Sequence, residues 1–156
     1  MANQSDKSTG LDDLKNDMQQ KVKNHDSYAA TCASTNSFYN IAGIVLSSLA
    51  GISALTDLAK LIPYLTIITA ILAILAVIAN GINKIQDYAT KAGQHQATKA
   101  AFEGCMNTAT FLIEKKRDGK PVEDKENEAL QEAIKKANST EPVIPKSLFA
   151  KSRDIK

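Results

Sequence analysis

The stretch LIPYLTIITAILAILAVIANGIN, residues 61–83, decides the fold class of this 156-residue chain. It contains no charged residue, and its central part is apolar on every side apart from Thr66 and Thr69. A helix on the surface of a soluble protein needs a polar face that recurs about every 3.6 residues, and this stretch has none. An α-helix from Leu61 to Ile82 would be about 33 Å long, enough to cross roughly 30 Å of hydrocarbon. The stretch therefore predicts a transmembrane helix.

A second uncharged stretch, FYNIAGIVLSSLAGISAL, occupies residues 38–55 and predicts a second, weaker span. Only the segment 56–60 separates it from the first, and five residues cannot cross a bilayer. The two spans must therefore be antiparallel neighbours joined by a turn. The alternative is a soluble bundle that buries the hairpin, but a chain this small has little protein with which to cover two apolar helices. We favour the membrane.

The predicted fold is all-α, an integral membrane hairpin of two transmembrane helices flanked by cytoplasmic helices. It divides into an N-terminal cytoplasmic segment 1–37 with an amphipathic helix at about 10–24, the hairpin 38–83 (helices 38–55 and 61–83, turn 56–60), a cytoplasmic stalk and helix 84–140, and an extended tail 141–156. Of the 19 Lys and Arg residues, 14 follow residue 83 and only one lies in the turn. The positive-inside rule thus predicts that both termini are cytoplasmic.

The N-terminal segment has its apolar residues on one helical face: Leu11, Leu14, Met18 and Val22. This face could lie on the membrane surface, but its opposite side mixes acids with lysines, whereas a lipid-binding helix has a strongly basic polar face. We therefore favour packing against the C-terminal helices.

Small residues recur at four-residue spacing in the first predicted span, at Gly43, Ser47 and Gly51. This spacing places them on one face of a helix, where another helix can approach closely. We predict that Gly43, Ser47 and Gly51 form a helix-packing face. The alternative is that they are incidental, because small residues are common in membrane helices.

The end segment contains apolar residues in polar surroundings: Pro142, Ile144, Pro145, Leu148 and Phe149. Such residues need to be buried against something, and the sequence offers them no obvious partner within the chain. We predict that they bind a protein partner. The P-x-x-P spacing of Pro142 and Pro145 is by itself more typical of a spacer than of a recognition motif. The aromatic residues of the stalk could equally pack within its own small bundle.

Residue types that support catalysis are sparse. Two cysteines, Cys32 and Cys105, lack the spacing of a zinc site, and the two histidines, His25 and His95, are far apart in sequence. His95 is expected to face solvent or a neighbouring helix. Acids interleave with the basic residues, which argues against nucleic-acid binding. The sequence predicts no catalytic, cofactor or metal site and no enzyme.

The order of a short cytoplasmic helix, a two-span hairpin with a short turn, a stalk and a P-x-I-P-like tail resembles the SLATT superfamily of two-transmembrane proteins. The resemblance covers about residues 12–146. Its residues are the stalk KIQDYATKAGQHQATKAAFEGC, with Tyr88, His95 and Phe102, and the tail EPVIP. It implies an oligomeric membrane protein. Many members look like effectors that form pores when a linked nucleotide sensor signals, and free-standing members occur in large DNA viruses.

No sensor is apparent within these residues, which favours the free-standing type. The expected function is structural: the chain anchors a protein layer to a bilayer through homo-oligomerisation and docking of its cytoplasmic tail, as a virion membrane protein or minor capsid protein would. The expected partners are the lipid bilayer, further copies of the chain and a membrane-associated protein. The alternative is a SLATT-like or holin-like pore-forming effector.

Overall fold

The computed structural model describes residues 5–55 and 63–145, which are helical throughout apart from short connections and contain no strand. Its helices are α1 (Ser5–Leu55), α2 (Pro63–Gln86), α3 (Tyr88–Arg117) and α4 (Asp124–Ser139). The all-α fold class is thereby confirmed. Two compact units divide the chain. We call the described parts of 1–29 and 93–156 the terminal bundle, and those of 30–92 the apolar hairpin.

Helix α1 corrects the predicted boundaries at the N-terminus. The sequence predicted a helix at about 10–24 and a separate span at 38–55, but α1 is continuous from Ser5 to Leu55. The segment between them contains neither proline nor glycine, the residues that most readily end a helix. Thr35 turns its hydroxyl back to the Thr31 carbonyl at 2.8 Å, so a polar side chain here is satisfied by the helix itself.

The terminal bundle is built on a seven-residue repeat. The buried residues of α3 alternate between spacings of three and four, as in a coiled-coil seam: His95, Thr98, Phe102, Cys105, Ala109 and Leu112. The C-terminal part of this seam belongs to one core cluster. The cluster also contains Met18 of α1 and three residues of α4, Leu130, Ile134 and Ala137. Leu11, Leu14 and Val22 pack against the cluster, which confirms that the apolar N-terminal face packs on the C-terminal helices.

The connection between α3 and α4 follows from local backbone chemistry. Gly119 has a φ of 73°, and its N–H bonds the Lys116 carbonyl at 3.1 Å, an ending that favours glycine. At the start of α4, the Glu126 carboxylate accepts the N–H of Glu123 at 2.9 Å and pairs with Lys115 at 2.7 Å. These hydrogen bonds lower the pKa of Glu126, the one from Lys115 most strongly. They connect the two helices through a charged, exposed turn.

In the apolar hairpin, the end of α1 and helix α2 are antiparallel. Asn83 Nδ2 donates to Asn40 Oδ1 at 2.8 Å, and further along α1 Gly43 faces the side chain of Asn80. As the α1 number rises, the α2 number falls, which defines the antiparallel register. The antiparallel pairing agrees with the prediction, although the turn 56–60 lies outside the described residues.

The stalk does not continue α2 without a break. Asp87 has a φ of 46°, a left-handed conformation that aspartate tolerates better than most residues, and it separates α2 from α3. The amide ladder still passes through it, because Asp87 N–H bonds Asn83 O and Lys91 N–H bonds Asp87 O, both at 3.0 Å. The predicted start of the stalk at residue 84 therefore falls within the last turn of α2.

Candidate functional site

The surface of the apolar hairpin is the first feature that the fold itself does not account for. Of the exposed large apolar side chains in the described residues, sixteen lie between Phe38 and Ile85, and only Phe111 and Val143 lie elsewhere. Val77 is 72% exposed and Ile44 is 66% exposed. A monomer in water does not leave so large a continuous apolar surface uncovered, so this surface requires an apolar environment or a partner.

One stretch of the described chain, Thr66–Arg117, contains a segment long and apolar enough to cross a membrane, with a mean hydropathy of 2.1. This segment is only 11% buried within the protein, unlike the core helix of a soluble domain. The end of α1 does not meet the same criterion within the described residues. A second span is therefore not shown.

Aromatic side chains stand at both ends of this apolar surface. At one end, the rings of Tyr39 and Tyr88 stack with centroids 6.1 Å apart, and Lys91 lies over Tyr88 at 5.6 Å. At the other end, Tyr64 in the first turn of α2 is 71% exposed. Tyrosine is enriched where a membrane protein passes from hydrocarbon to headgroups, because its ring is apolar and its hydroxyl is polar.

In the described helices, only one residue of the predicted helix-packing face lies against the other helix. Gly43 is buried, and a Cβ atom added there would lie 3.0 Å from the Asn80 side-chain carbon. Ser47 and Gly51 are exposed, and a Cβ atom at Gly51 would have open space around it. Only Gly43 therefore serves α1–α2 packing, and a role for Ser47 and Gly51 in packing between copies of the chain remains a prediction.

We expect Gly43→Ile to weaken the hairpin, because even the Cβ atom would displace the Asn80 amide. Overpacking of this kind costs about 1–3 kcal/mol. The thermal unfolding midpoint of the full chain in detergent should fall. Gly51→Ile is the matched control on the same helix and should leave the midpoint unchanged. Equal midpoints for the two variants would contradict a packing role for Gly43.

A buried histidine pair forms the second feature, in the terminal bundle. His25 of α1 and His95 of α3 have 0% and 2% exposure, and their Nδ1 atoms are 2.8 Å apart. Their rings stack with centroids 5.1 Å apart. Phe102 stacks on His25, and the edge of Tyr28 contacts His95. Of the two alternatives expected for His95, solvent or a neighbouring helix, the structure shows the second, because His95 packs against His25 of α1.

The other nitrogen of His25 binds the chain just beyond α4. His25 Nε2 lies 3.1 Å from Glu141 Oε1, and the other oxygen of this carboxylate pairs with Lys21 Nζ at 2.8 Å. Lys21 also donates to Asn138 Oδ1 at 2.6 Å and lies 4.8 Å from the centre of the Phe102 ring. Glu141 thus binds two groups of α1, and we call His25, His95 and Glu141 the histidine–glutamate cluster.

The electrostatics of this cluster follow from burial and from neighbouring charges. Burial lowers the pKa of His95, the proximity of His25 lowers it further, and Glu141 only partly opposes these effects. Burial raises the pKa of Glu141, but hydrogen bonds and positive charge from Lys21 and His25 outweigh burial, and the net pKa is lowered. The cluster therefore favours a neutral His95 and an ionised Glu141.

The end segment begins inside the terminal bundle, which corrects the expectation that it has no partner within the chain. Glu141 is held as described, and Pro142 and Ile144 are half-buried. Val143 and Pro145 are exposed, Val143 by 90%. The other two predicted docking residues, Leu148 and Phe149, lie outside the described residues.

Within residues 5–55 and 63–145, no three His, Cys, Asp or Glu side chains are placed to hold a metal ion. Cys32 and Cys105 are both buried as free thiols, and burial raises the pKa of the Cys105 thiol. A buried thiol with a raised pKa is a weak nucleophile.

Sequence analysis missed the histidine pair, although the chain contains a signal for it. Met18, His25 and Cys32 are spaced by seven residues on α1, and so are His95, Phe102 and Ala109 on α3. All six are buried. Each histidine therefore occupies a seam position of a heptad pattern, and extending the apolar pattern by one heptad would have placed both in the interior.

In comparisons with known proteins, no family model, curated protein or solved structure matches this chain. The resemblance to the SLATT superfamily therefore remains a prediction.

Proposed function

We propose that the chain is a small two-span membrane protein that anchors a protein layer to a bilayer. The apolar hairpin inserts, and the terminal bundle with its end segment binds the partner. The observation that supports this most directly is the distribution of exposed apolar side chains, concentrated between Phe38 and Ile85. Lipid covers such a surface without requiring specific contacts, and the tyrosines at its two ends fit the headgroup regions.

Helix α2 is long enough to be one span, because its 24 residues correspond to a helix of about 36 Å. The end of α1 completes the pair in this proposal, because its exposed Ile41, Ile44 and Ile52 would otherwise face water beside a helix in lipid. Its serines are tolerated in lipid, since a helical hydroxyl can bond a preceding carbonyl.

Both termini face the cytoplasm in this proposal, or the equivalent side of an internal viral membrane, because of the lysine imbalance. We expect a cysteine at Thr56 to react with a membrane-impermeant thiol reagent added outside intact cells, and a cysteine at Lys120 to be protected. Lys120 is a suitable site because it is 67% exposed, whereas the native thiols are buried. If the cysteine at Lys120 reacts and the cysteine at Thr56 is protected, both termini lie on the outer side of the membrane.

The docking function is proposed for the end segment, with Pro142, Ile144, Pro145, Leu148 and Phe149 as its residues. The spans consist largely of aliphatic residues that lipid accepts at any position, so they offer a protein partner little specificity. Within the described part of the end segment, the proposed docking residue Pro145 is exposed and accessible to a partner. Further copies of the chain would multiply weak docking contacts through avidity.

We expect the double variant Leu148→Ser, Phe149→Ser to insert normally but to leave the larger assembly. Removing two large apolar side chains from a docking surface loses about 2–5 kcal/mol of burial. The measurement is the size of the complex extracted in mild detergent from the membrane where the protein acts, with Val143→Ser as the control that alters an exposed apolar residue of the same segment. Retention of the double variant in the assembly at the normal level would refute docking through these residues.

The alternative function is a SLATT-like or holin-like pore. Conductance across a reconstituted bilayer separates the two functions, because an anchor requires none. In the described residues, the contacts between α1 and α2 that involve polar side chains join Asn40 to Asn83 and Gly43 to Asn80, near the Tyr39–Tyr88 end of the hairpin. A water-filled path needs polar groups along the whole span, so this distribution favours the anchor.

A further inference from the structure

The histidine–glutamate cluster is not required for anchoring, yet it buries two titratable rings in the core of the terminal bundle. His25 has a polar partner at each nitrogen, Glu141 at Nε2 and His95 at Nδ1. An apolar pair in the same seam positions would pack without any hydrogen-bond requirement. The question is therefore how protonation of the two rings changes the contacts within the cluster.

Hydrogen-bond geometry defines the protons that this cluster can hold. With both rings neutral, His25 Nε2–H donates to Glu141, and His95 Nδ1–H donates to His25 Nδ1. One additional proton also fits, because a doubly protonated His25 can donate to Glu141 and to the unprotonated Nδ1 of His95. A second additional proton does not fit, since it would place two N–H groups and two positive charges face to face across 2.8 Å.

We propose that the histidine–glutamate cluster is a proton-sensitive latch that joins α1 to α3 and opens when both histidines become charged. Opening separates His25 from His95, whereas Glu141 stays bound to α1 through Lys21. The latch belongs to the terminal bundle alone and does not depend on the membrane.

The groups that face the cluster are few and lie on three elements. From α1 they are Lys21, which pairs with Glu141, and Tyr28, which contacts His95. From α3 the neighbour is Phe102, which is not titratable. From the segment after α4 it is Glu141 itself. Lys21 holds one oxygen of Glu141 at any pH near neutrality, so protons act on the other oxygen and on the ring–ring contact.

The sign of the pH dependence follows from these groups. The pKa of His95 is lowered from its ordinary 6.5, so the latched form takes up this proton less readily than the open form. Latch stability is therefore complete above pH 6.5 and falls as the pH decreases below it. Because the open form takes up one proton more than the latched form, at His95, the opening constant approaches a tenfold rise per pH unit well below pH 6.5.

Glu141 adds a second step with the same sign. Its pKa is lowered from 4.5, so its contribution is lost only as the pH falls below that value. The two steps are separable because they lie in different pH ranges.

Nitrogen-15 NMR of the full chain in lipid nanodiscs tests the resting state. The chain has only two histidines, so the imidazole spectrum contains this pair alone. At pH 7.5 we expect one Nε2–H ring and one Nδ1–H ring. Two Nε2–H rings that titrate independently at the ordinary pKa would overturn the latch.

Hydrogen exchange of the α1 and α3 amides beside the two rings, residues 23–27 and 93–97, normalised to intrinsic rates, tests opening between pH 7.5 and 5. The wild type should exchange faster as the pH falls, approaching a tenfold rise per pH unit well below pH 6.5. His95→Gln should remove this slope, because a glutamine amide can bond His25 Nδ1 but does not titrate. An unchanged slope in His95→Gln would refute the proposal, and if this variant does not fold, the wild-type tautomers decide.

Asp26→Asn is the matched control. Asp26 adjoins His25 and pairs with Lys99 of α3 at 2.8 Å, so the substitution removes a neighbouring ion pair between the same two helices. It should preserve the pH slope. Loss of the slope in Asp26→Asn would assign the acid response to general loosening of the bundle and would overturn a specific role for the histidines.

Discussion

Phe102→Ala is expected to lower the free energy of unfolding of the terminal bundle by about 3–5 kcal/mol. The Phe102 side chain is fully buried, stacks on His25 and contributes to the core cluster with Met18 and Leu130. Its removal leaves a cavity that helices fixed at both ends fill poorly. A loss of this size is a large part of the roughly 5–15 kcal/mol by which a domain is stable. Chemical denaturation of the full chain in nanodiscs, followed by circular dichroism, measures it.

Phe111→Ala provides the matched control on the same helix. Phe111 is 58% exposed, so its truncation should change stability by no more than about 0.5 kcal/mol. Alkylation of Cys105 gives a second readout, because this thiol is buried one turn from Phe102. We expect Phe102→Ala to accelerate it, with mass spectrometry distinguishing Cys105 from Cys32. Equal stability of the two alanine variants would show that the bundle is not the folded unit described above.

Ile74→Lys is expected to make membrane insertion of α2 less favourable by about 3–4 kcal/mol, which reduces the insertion equilibrium more than a hundredfold. Ile74 is near the middle of α2 and 59% exposed, so in water a lysine there would cost almost nothing. The substitution is therefore expected to be costly if α2 lies in lipid and nearly neutral if α2 lies in water. The measurement is the fraction of full-length chain that resists alkaline extraction from membranes.

Phe111→Lys is the control for this experiment, because Phe111 has nearly the same exposure, 58%, but belongs to the terminal bundle. It should leave the extracted fraction unchanged. If Ile74→Lys is retained in the membrane as well as the wild type, α2 does not lie in lipid. The exposed apolar surface would then require a protein cover.

The sequence predicts the helical class and the antiparallel hairpin because these depend on local quantities. The absence of charge between residues 61 and 83 and the shortness of 56–60 need no knowledge of distant contacts. The same holds for Leu11, Leu14 and Met18, whose helical spacing predicts a packed face. The end of α1 differs, because its serines and Asn40 make it less apolar than α2, and it is not among the span candidates of the described residues.

The sequence does not predict the histidine–glutamate cluster because it depends on contacts between distant residues. His25 and His95 are 70 positions apart, and His25 and Glu141 are 116 positions apart. Histidine is neither clearly apolar nor clearly polar, so each ring alone is compatible with surface or core. The continuity of α1 was missed for a related reason. A polar segment without helix breakers is predicted to be a linker unless the segments on both sides of it are known to be helical.

The contact of Lys21 with Asn138 and Glu141 has a consequence for the synthesis of the chain. Helix α1 emerges from the ribosome before Asn138 of α4 and Glu141, which follow Lys21 by 117 and 120 residues. At a translation rate of roughly 5–20 residues per second, Leu14 and Met18 stay uncovered for about 6–24 s until the residues that bury them have been synthesised. Both stretches of the apolar hairpin are translated during this interval. The apolar face of α1 must therefore be kept from aggregating, by a chaperone or by the membrane surface, until α4 has been translated.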